Sequence, residues 1–177
     1  MPHFAPRHYP APAPGARFSC NKQPRGINCH PAGPRPRTKQ RIRNLIETIS
    51  IGVQGQGLYP ITRDITPVVA RAPGAEGLCT LFIRHTSASL LIQESFDDSA
   101  RVDLENWLNR LVPENDSLYT HTLEGPDDMP SHIKSALTAT QISIPYRDKR
   151  LMLGTWQGIY LWEHRHHAGR RELVVHL

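Results

Sequence analysis

Four histidines in the C-terminal three quarters of the chain are candidates for chemistry: His85, His121, His132 and His164. Neutral imidazoles combined with one or two carboxylates and an open position form catalytic zinc-type sites. No local ligand pair such as His-Glu-x-x-His accompanies them, so a metal centre would have to be assembled from separate elements. Taken alone, each of these histidines is better explained as a hydrogen-bonded structural residue.

Three carboxylates crowd one short segment, in which Glu124 is followed by Gly125, Pro126, Asp127 and Asp128. Capping of a following helix accounts for one aspartate, but it does not account for three acidic side chains. Such a cluster can hold Mg²⁺ through water, act as a general base, or bind a ligand amine. For Asp127 and Asp128 we therefore keep a functional role and a capping role equally open.

The segment 154–165 joins an aromatic turn to a strand that ends in charge. Trp156 and Gln157 stand between two glycines, where bare backbone allows another group to approach closely. The strand that follows ends on Glu163, His164 and Arg165, an ending that a strand built only for packing seldom has. This segment is a further candidate wall of a site.

Hydroxyl and cationic groups could serve an anionic ligand. The Thr-Ser-Ala-Ser run at 86–89 follows a predicted strand and could present hydroxyls and backbone amides to an anion. No glycine-rich phosphate loop accompanies this run, so the pattern alone is not specific. The candidate cations are Lys134, Arg147, Lys149 and Arg165.

Hydrophobic periodicity predicts the elements that must position these groups. Roughly seven strands and three helices alternate with hairpin-length connections, which indicates an α+β fold: a two-layer domain with a mostly antiparallel or mixed sheet. A turn at 54–57 predicts that the strand 58–61 pairs back on the strand 48–53. A helix beginning at Asp97 or Asp98 carries an apolar stripe at Leu104, Trp107, Leu108 and Leu111.

Residues 1–43 differ sharply in composition from the rest of the chain. They hold nine prolines and nine Lys or Arg but no Asp or Glu, so the net charge of +5 belongs to this segment and not to the remainder. We predict a disordered extension over 1–43, with organelle targeting as the less favoured alternative, and one domain over 44–177. Because the remainder is acidic, the charge does not support a nucleic-acid partner.

Three cysteines, Cys20, Cys29 and Cys79, give no disulfide framework, and a reducing cytoplasm is the expected compartment. No apolar run approaches the 18 residues of a membrane span, so no membrane partner is expected.

Three ordered motifs carry a resemblance to a known family. They are His-Thr-Ser-Ala-Ser at 85–89, the segment 124–134 that contains Asp-Asp-Met-Pro-Ser-His-Ile-Lys, and Gly-Thr-Trp-Gln-Gly at 154–158. With these motifs the sequence resembles the YjbQ family (UPF0047), also called secondary thiamine-phosphate synthase enzymes. The likeness runs from about Thr48 to the C-terminus.

The resemblance implies a compact α+β subunit that assembles as a homotrimer, with a site near a subunit boundary. It also implies a thiamine-phosphate synthase activity, in which a thiazole phosphate displaces the diphosphate of a hydroxymethylpyrimidine diphosphate and pyrophosphate is released. The small phosphorylated metabolite is then the partner molecule. The motif residues that carry over are His85, Thr86, Ser87, Asp128, His132, Lys134, Thr155, Trp156, Gln157, Glu163, His164 and Arg165.

From residue type we expect His85, His132 and His164 to converge, because they lie at or near the ends of predicted elements. Together they would bind either a divalent metal, Zn or Mg, or an anionic phosphate group.

The remaining roles follow from the charges of the side chains. Asp128 or Glu163 would orient an imidazole or relay a proton. Lys134 and Arg165 would neutralise the departing pyrophosphate, and Trp156 would offer a ring face to a flat heterocycle. Thr86, Ser87, Thr155 and Gln157 are the further substrate-binding candidates. Two other functions account for the same residues: a non-catalytic trimer that binds a phosphometabolite or metal, and a metal-dependent hydrolase.

Overall fold

The computed structural model describes residues 44–177, and the predicted extension over 1–43 lies outside the described residues. The strands are β1 (Ile46–Val53), β2 (Gly57–Pro60), β3 (Glu76–Ile83), β4 (Ala88–Glu94), β5 (Gln141–Arg147), β6 (Arg150–Leu151), β7 (Gln157–Glu163) and β8 (Gly169–His176). The helices are α1 (Thr62–Ala70), α2 (Asp98–Leu111) and α3 (Asp128–Leu137).

The eight strands form two sheets in which every pairing is antiparallel. One sheet has the order β1-β8-β3-β5-β6 and the other the order β2-β7-β4. The α+β class and the antiparallel pairing are therefore confirmed. The predicted pairing of the second strand with the first is wrong, because β2 crosses to the other sheet and pairs with β7. Gly55 and Gly57, both with positive φ, allow the chain to make this change of direction.

Strand β7 is the central strand of the small sheet and is covered on both faces. Ile159 and Leu161 point into the main core, whereas Tyr160 and Trp162 belong to a second apolar cluster beneath α2. Every residue from 158 to 163 is buried, so the strand carries its charged C-terminal end into the interior. This burial fixes the place of the polar groups that follow.

Helix α2 begins as predicted but packs less of its apolar stripe than predicted. The Asp97 carboxylate accepts a hydrogen bond of 2.8 Å from the Ser99 N–H, as an N-cap does. Within the stripe Leu108 is buried, but Trp107 and Leu111 stay 53% and 54% exposed. Only Leu108 and, in part, Leu104 pack into the apolar cluster below the helix. Trp107 and Leu111 leave an apolar face at the surface.

Helix α3 begins at Asp128 with Pro130 in its first turn, as the sequence predicts. Asp127 precedes it without capping it, because its carboxylate turns to Arg165 instead. Among residues 44–177 no helix has the length and apolar character that a bilayer crossing requires.

Candidate functional site

Two of the three sequence motifs meet at one edge of the small sheet. Ala88, the first residue of β4, is in register with Glu163, the last residue of β7. The Ser87 carbonyl accepts a hydrogen bond of 3.2 Å from the His164 N–H, and the Thr86 carbonyl lies 3.1 Å from Nδ1 of His132 on α3. The loop 84–87, the end of β7 and the start of α3 therefore form one continuous surface.

Arg165 connects the end of β7 to residues 124–128, which contain Glu124, Asp127 and Asp128 and are called the acidic loop below. Its guanidinium donates through Nε to Oδ2 of Asp127 at 3.1 Å, through Nη1 to Oδ1 of Asp128, and through Nη2 to the carbonyl of Glu124 at 2.8 Å. Because all three nitrogens are engaged inside the protein, Arg165 is placed to position Asp127 and Asp128. Three of the five N–H groups of the guanidinium donate inside the protein, and the predicted contact of Arg165 with a departing pyrophosphate stays a prediction.

The Asp127 carboxyl is held in its charged form. Burial alone would raise its pKa, but hydrogen bonds from the His166 N–H and from Arg165 outweigh burial and keep the pKa below its usual range. The acidic loop thus supplies fixed negative charge, which the Arg165 guanidinium balances.

Glu163 is fully buried and also paired. Arg171 donates to both of its oxygens through Nε and Nη2, the latter at 2.6 Å, and the Arg165 N–H donates to Oε1 at 2.9 Å. A buried carboxylate is costly unless it is satisfied in this way. Since both oxygens already accept hydrogen bonds, Glu163 is a structural anchor under the site, and a proton relay would first require a partner to leave.

His164 lies in the interior as a neutral ring. Its Nε2 is 3.0 Å from the Ser89 hydroxyl, while within residues 44–177 its buried Nδ1 has no hydrogen-bond partner. Burial, reinforced by the nearby charges of Lys134 and Arg171, lowers its pKa to about 3. The ring is almost inaccessible to solvent.

Lys134 is buried on α3, and its ammonium donates to Oδ1 of Asn109 at 2.7 Å. Burial lowers the pKa of this ammonium, although the carboxylates of Glu114 and Asp127 work in the opposite direction. Like Arg165, Lys134 lies beneath the surface of the site rather than on it.

His85 is held by the neighbouring strand β8. Its Nε2 accepts a hydrogen bond of 2.8 Å from the Glu172 N–H, and its Nδ1 is 3.4 Å from Nη1 of Arg171. Burial and the charge of Arg171 lower its pKa. The expected convergence of His85 with His132 and His164 therefore does not form within residues 44–177, because each ring is directed to a different partner.

A different group of ligand-bearing side chains does assemble. Among residues 44–177, one group of at least three His, Cys, Asp or Glu has its potential ligand atoms within 4.8 Å of one another: His121, Asp128 and His132. Nε2 of His121 lies 2.8 Å from Oδ2 of Asp128, and Nε2 of His132 lies 3.7 Å from Oδ1. The His121 and His132 side chains are 50% and 33% exposed, whereas Asp128 lies beneath them. We call these residues the His-Asp-His cluster.

His121 was a candidate in the sequence but was not assigned to the site. It lies in a segment without helix or strand, so no periodicity predicted its direction. The usable signal was its short distance in sequence from the carboxylates of the acidic loop.

Two clefts adjoin the His-Asp-His cluster. One of about 440 Å³ is lined by Arg84, His85, Thr86 and Ser87, with the end of β3 behind it. The other, of about 300 Å³, is lined by His121 together with Tyr119 and Met129. The predicted binding residues Thr86 and Ser87 thus lie beside space that a small ligand could enter.

The third motif lies at the opposite end of β7. Since this strand has seven residues, about 20 Å separates Gln157 from the end of β7 at Glu163. Thr155 and Trp156 are exposed there, and the indole packs edge to face on Phe96 with ring centroids 4.8 Å apart. Within residues 44–177 of this chain the motif is therefore not a wall of the site around the His-Asp-His cluster.

Contacts within the same chain explain the residue types of the turn at 154–158. Oε1 of Gln157 accepts a hydrogen bond of 2.8 Å from the Gly154 N–H and closes the turn. A Cβ at Gly158 would lie 2.7 Å from Cβ of Ser95, so glycine is required by a neighbouring segment of the same chain. Gln157 also lines a separate cleft of about 720 Å³ that contains Arg63 and Arg101.

The described residues form an α+β domain with two antiparallel sheets and three helices. Its polar loops gather at one edge of the small sheet. The family model described as "UPF0047 protein YjbQ-like" matches residues 47–177, and the chain belongs to this family. A UPF0047 protein from Synechocystis is 49% identical over 131 residues, covering 74% of this chain and 89% of that protein. The UPF0047 protein YjbQ from Salmonella typhimurium is 44% identical, covering 73% and 94%.

Solved structures share the fold. A conserved hypothetical protein from Thermus thermophilus superposes with a TM-score of 0.65 at 31% identity, covering 72% of this chain and 97% of that chain. A YjbQ-like protein of unknown function from Sulfolobus solfataricus superposes with a TM-score of 0.67 at 21% identity, covering 76% and 97%, and supports the fold alone.

Proposed function

We propose that the protein is an enzyme acting on a small diphosphate-bearing molecule, with thiamine-phosphate synthesis as its reaction. In that reaction the carbon–oxygen bond to the diphosphate of hydroxymethylpyrimidine diphosphate breaks. A carbon–nitrogen bond to the thiazole phosphate forms, and pyrophosphate leaves. The proposal comes from the motifs shared with the family, and we place the reaction in the cytoplasm.

The observation that carries the proposal is the meeting of two polar motifs over a buried charged layer. Thr86 and Ser87 lie beside solvent-reachable His132, and beneath them Arg165 holds Asp128 in place. Buried charges that are paired in this way keep the exposed groups in one geometry, which favours catalysis.

The residues divide into those that can reach a ligand and those that support them. His121 lines one cleft and His132 is partly exposed beside Thr86 of the other, so both imidazoles can contact a ligand. Thr86 and Ser87 line a cleft whose volume of about 440 Å³ is sufficient for a phosphorylated heterocycle. Lys134, Glu163 and Arg165 act in this proposal as positioning residues.

We also propose assembly as a homotrimer. Trp107 and Leu111 form an exposed apolar face on α2, and such faces commonly mark contacts between proteins. A neighbouring subunit would also provide a route by which Trp156, far from the His-Asp-His cluster of its own chain, could take part in the same site. Sedimentation of the full chain tests the trimer.

The reaction is tested by incubating the full chain with both precursors and measuring thiamine phosphate and pyrophosphate. His132→Ala should reduce turnover by at least about 100-fold, the lower range for loss of an acid–base group. His167→Ala is the matched control, because His167 is exposed and outside the site. Equal turnover by His132→Ala and the control would refute the proposed role of this edge.

Two outcomes would point to other functions. Saturable binding of either precursor without product would favour a phosphometabolite-binding trimer. Release of phosphate from simple phosphoesters, without carbon–nitrogen bond formation, would favour a hydrolase.

A further inference from the structure

The His-Asp-His cluster has a feature that hydrogen bonding leaves unexplained. Asp128 is only 1% exposed, and its Oδ2 accepts no hydrogen bond within residues 44–177. Nε2 of His121 lies 2.8 Å from this oxygen, but the pair does not have hydrogen-bond geometry. An unsatisfied buried carboxylate oxygen is costly, so a further partner is expected at this position.

The partner must also suit His132. Its Nδ1 is 3.1 Å from the Thr86 carbonyl, an oxygen that can only accept, so the proton of the neutral ring lies on Nδ1. Nε2 then carries a lone pair, and it lies 3.7 Å from Oδ1 of Asp128, an acceptor as well. Arg165 already donates to Oδ1, which leaves the Nε2 lone pair of His132 and the nearby Oδ2 as two acceptors that one metal ion can bind.

We infer that His121, Asp128 and His132 bind a divalent transition-metal ion of the zinc type. Ligand atoms about 2.0–2.1 Å from a tetrahedral zinc lie about 3.3 Å from one another. One ligand atom from each of the three residues lies within 4.8 Å of the others, and Nε2 of His121 is 2.8 Å from Oδ2 of Asp128, so the three side chains are close enough to contact one ion. Two imidazoles and one carboxylate are a ligand set for zinc or a similar late metal rather than for Mg²⁺, which prefers oxygen ligands.

The hydrogen bonds to His132 and Asp128 are of the kind that usually support metal ligands. Metal-binding histidines commonly donate their other N–H to a carbonyl, as His132 does to Thr86, and bound carboxylates are themselves hydrogen-bonded. Arg165 fixes Asp128 through Oδ1 and leaves Oδ2 free. Because both imidazoles are partly exposed, an ion can enter from solvent and three protein ligands leave a coordination position for a small molecule.

The inference concerns binding and goes beyond the proposed transferase reaction. Its test therefore needs no substrate, and failure of the transferase assay would leave it unchanged. The full chain is first treated with a chelator and then titrated with Zn²⁺ by calorimetry, with Mg²⁺ titrated in parallel. Bound metal after dialysis is measured by elemental analysis.

We expect the wild-type chain to bind one Zn²⁺ per chain at this site. His121→Ala and His132→Ala should each weaken this binding by more than about 100-fold, since even loss of an outer partner costs 10–100-fold. His167→Ala should bind like the wild type. The two histidine variants preserve Asp128, whose pairing with Arg165 supports the fold, and circular dichroism verifies folding of each variant.

Three results would overturn the inference. The first is absence of Zn²⁺ binding by the wild-type chain at micromolar concentration. The second is retention of wild-type stoichiometry and affinity in both histidine variants, which would move the metal to ligands elsewhere, such as Cys20 and Cys29. The third is binding of Mg²⁺ in preference to Zn²⁺.

Discussion

Stability of the protein should fall in mild acid because of one buried ring, His164. Its pKa is lowered from an ordinary value of 6.5 to about 3, first by burial and then by the charges of Lys134 and Arg171. Below pH 6.5 the unfolded chain takes up a proton on this ring, whereas the native protein does not until about pH 3. The contribution of His164 to stability is thus fully present above pH 6.5 and is lost progressively as the pH falls towards 3.

The size of the effect follows from this difference in proton binding. Each pH unit below 6.5 costs about 1.4 kcal/mol of unfolding free energy, so at pH 5.0 the loss from His164 is about 2 kcal/mol. His164→Gln removes the titrating ring while its amide can still bond the Ser89 hydroxyl. We therefore expect the wild type to lose about 2 kcal/mol more than the variant between pH 7.5 and pH 5.0.

Urea denaturation at the two pH values, followed by tryptophan fluorescence at one protein concentration, measures this difference. Trp162 is a suitable reporter, since its ring centroid lies 5.6 Å from that of His164. A constant loss of stability in His164→Gln does not matter, because only the change with pH is compared. His167→Gln should follow the wild type. Equal acid losses in the wild type and His164→Gln would refute the assignment of a neutral buried ring.

Three further substitutions test the packing and the assembly. Gly158→Ala places a Cβ 2.7 Å from that of Ser95 and should lower the unfolding free energy by about 1–3 kcal/mol. Adding Ser95→Gly should restore part of the lost unfolding free energy, and a lack of recovery would contradict the steric cause. Arg165→Met strands two buried carboxylates and should cost about 3–5 kcal/mol by urea denaturation, so a loss below about 1 kcal/mol would count against the network. Leu111→Lys should convert the proposed trimer to monomers in sedimentation with unchanged circular dichroism, and persistence of trimers would exclude this face as the interface.

The α+β class and the starts of α2 and α3 could be predicted because local signals determine them. Asp97 as an N-cap and Pro130 in a first turn mark the starts of two helices. The division into two sheets could not be predicted, since the turn at 54–57 has the composition of a hairpin turn. Only the tertiary structure shows that β2 leaves its sequence neighbour for β7.

Two members of the His-Asp-His cluster could be chosen from the sequence, but the arrangement of the candidate side chains could not. Asp128 and His132 were assigned to the candidate site, and the His-Asp-His cluster contains both. His85 and His164 lie at or near the ends of predicted strands, but sequence does not determine which way a ring turns, and both rings turn to other partners. The turn at 154–158 was predicted to share a wall of the site with Glu163, but the seven-residue strand between them places the turn about 20 Å away.

The contacts that build the site also determine when it can form. Arg165 is 38 residues from Asp127 along the chain, and His164 is 75 residues from Ser89, so these contacts close long loops. Long-range contacts are entropically costly and slow to form, and they come after local helices and turns. A folding intermediate with α3 already formed would hold Asp128 and His132 but lack the Arg165 and Thr86 contacts that orient them. If His121, Asp128 and His132 bind Zn²⁺ as proposed, the gain of Zn²⁺ affinity during refolding should report the arrival of β7 and its Arg165 contacts.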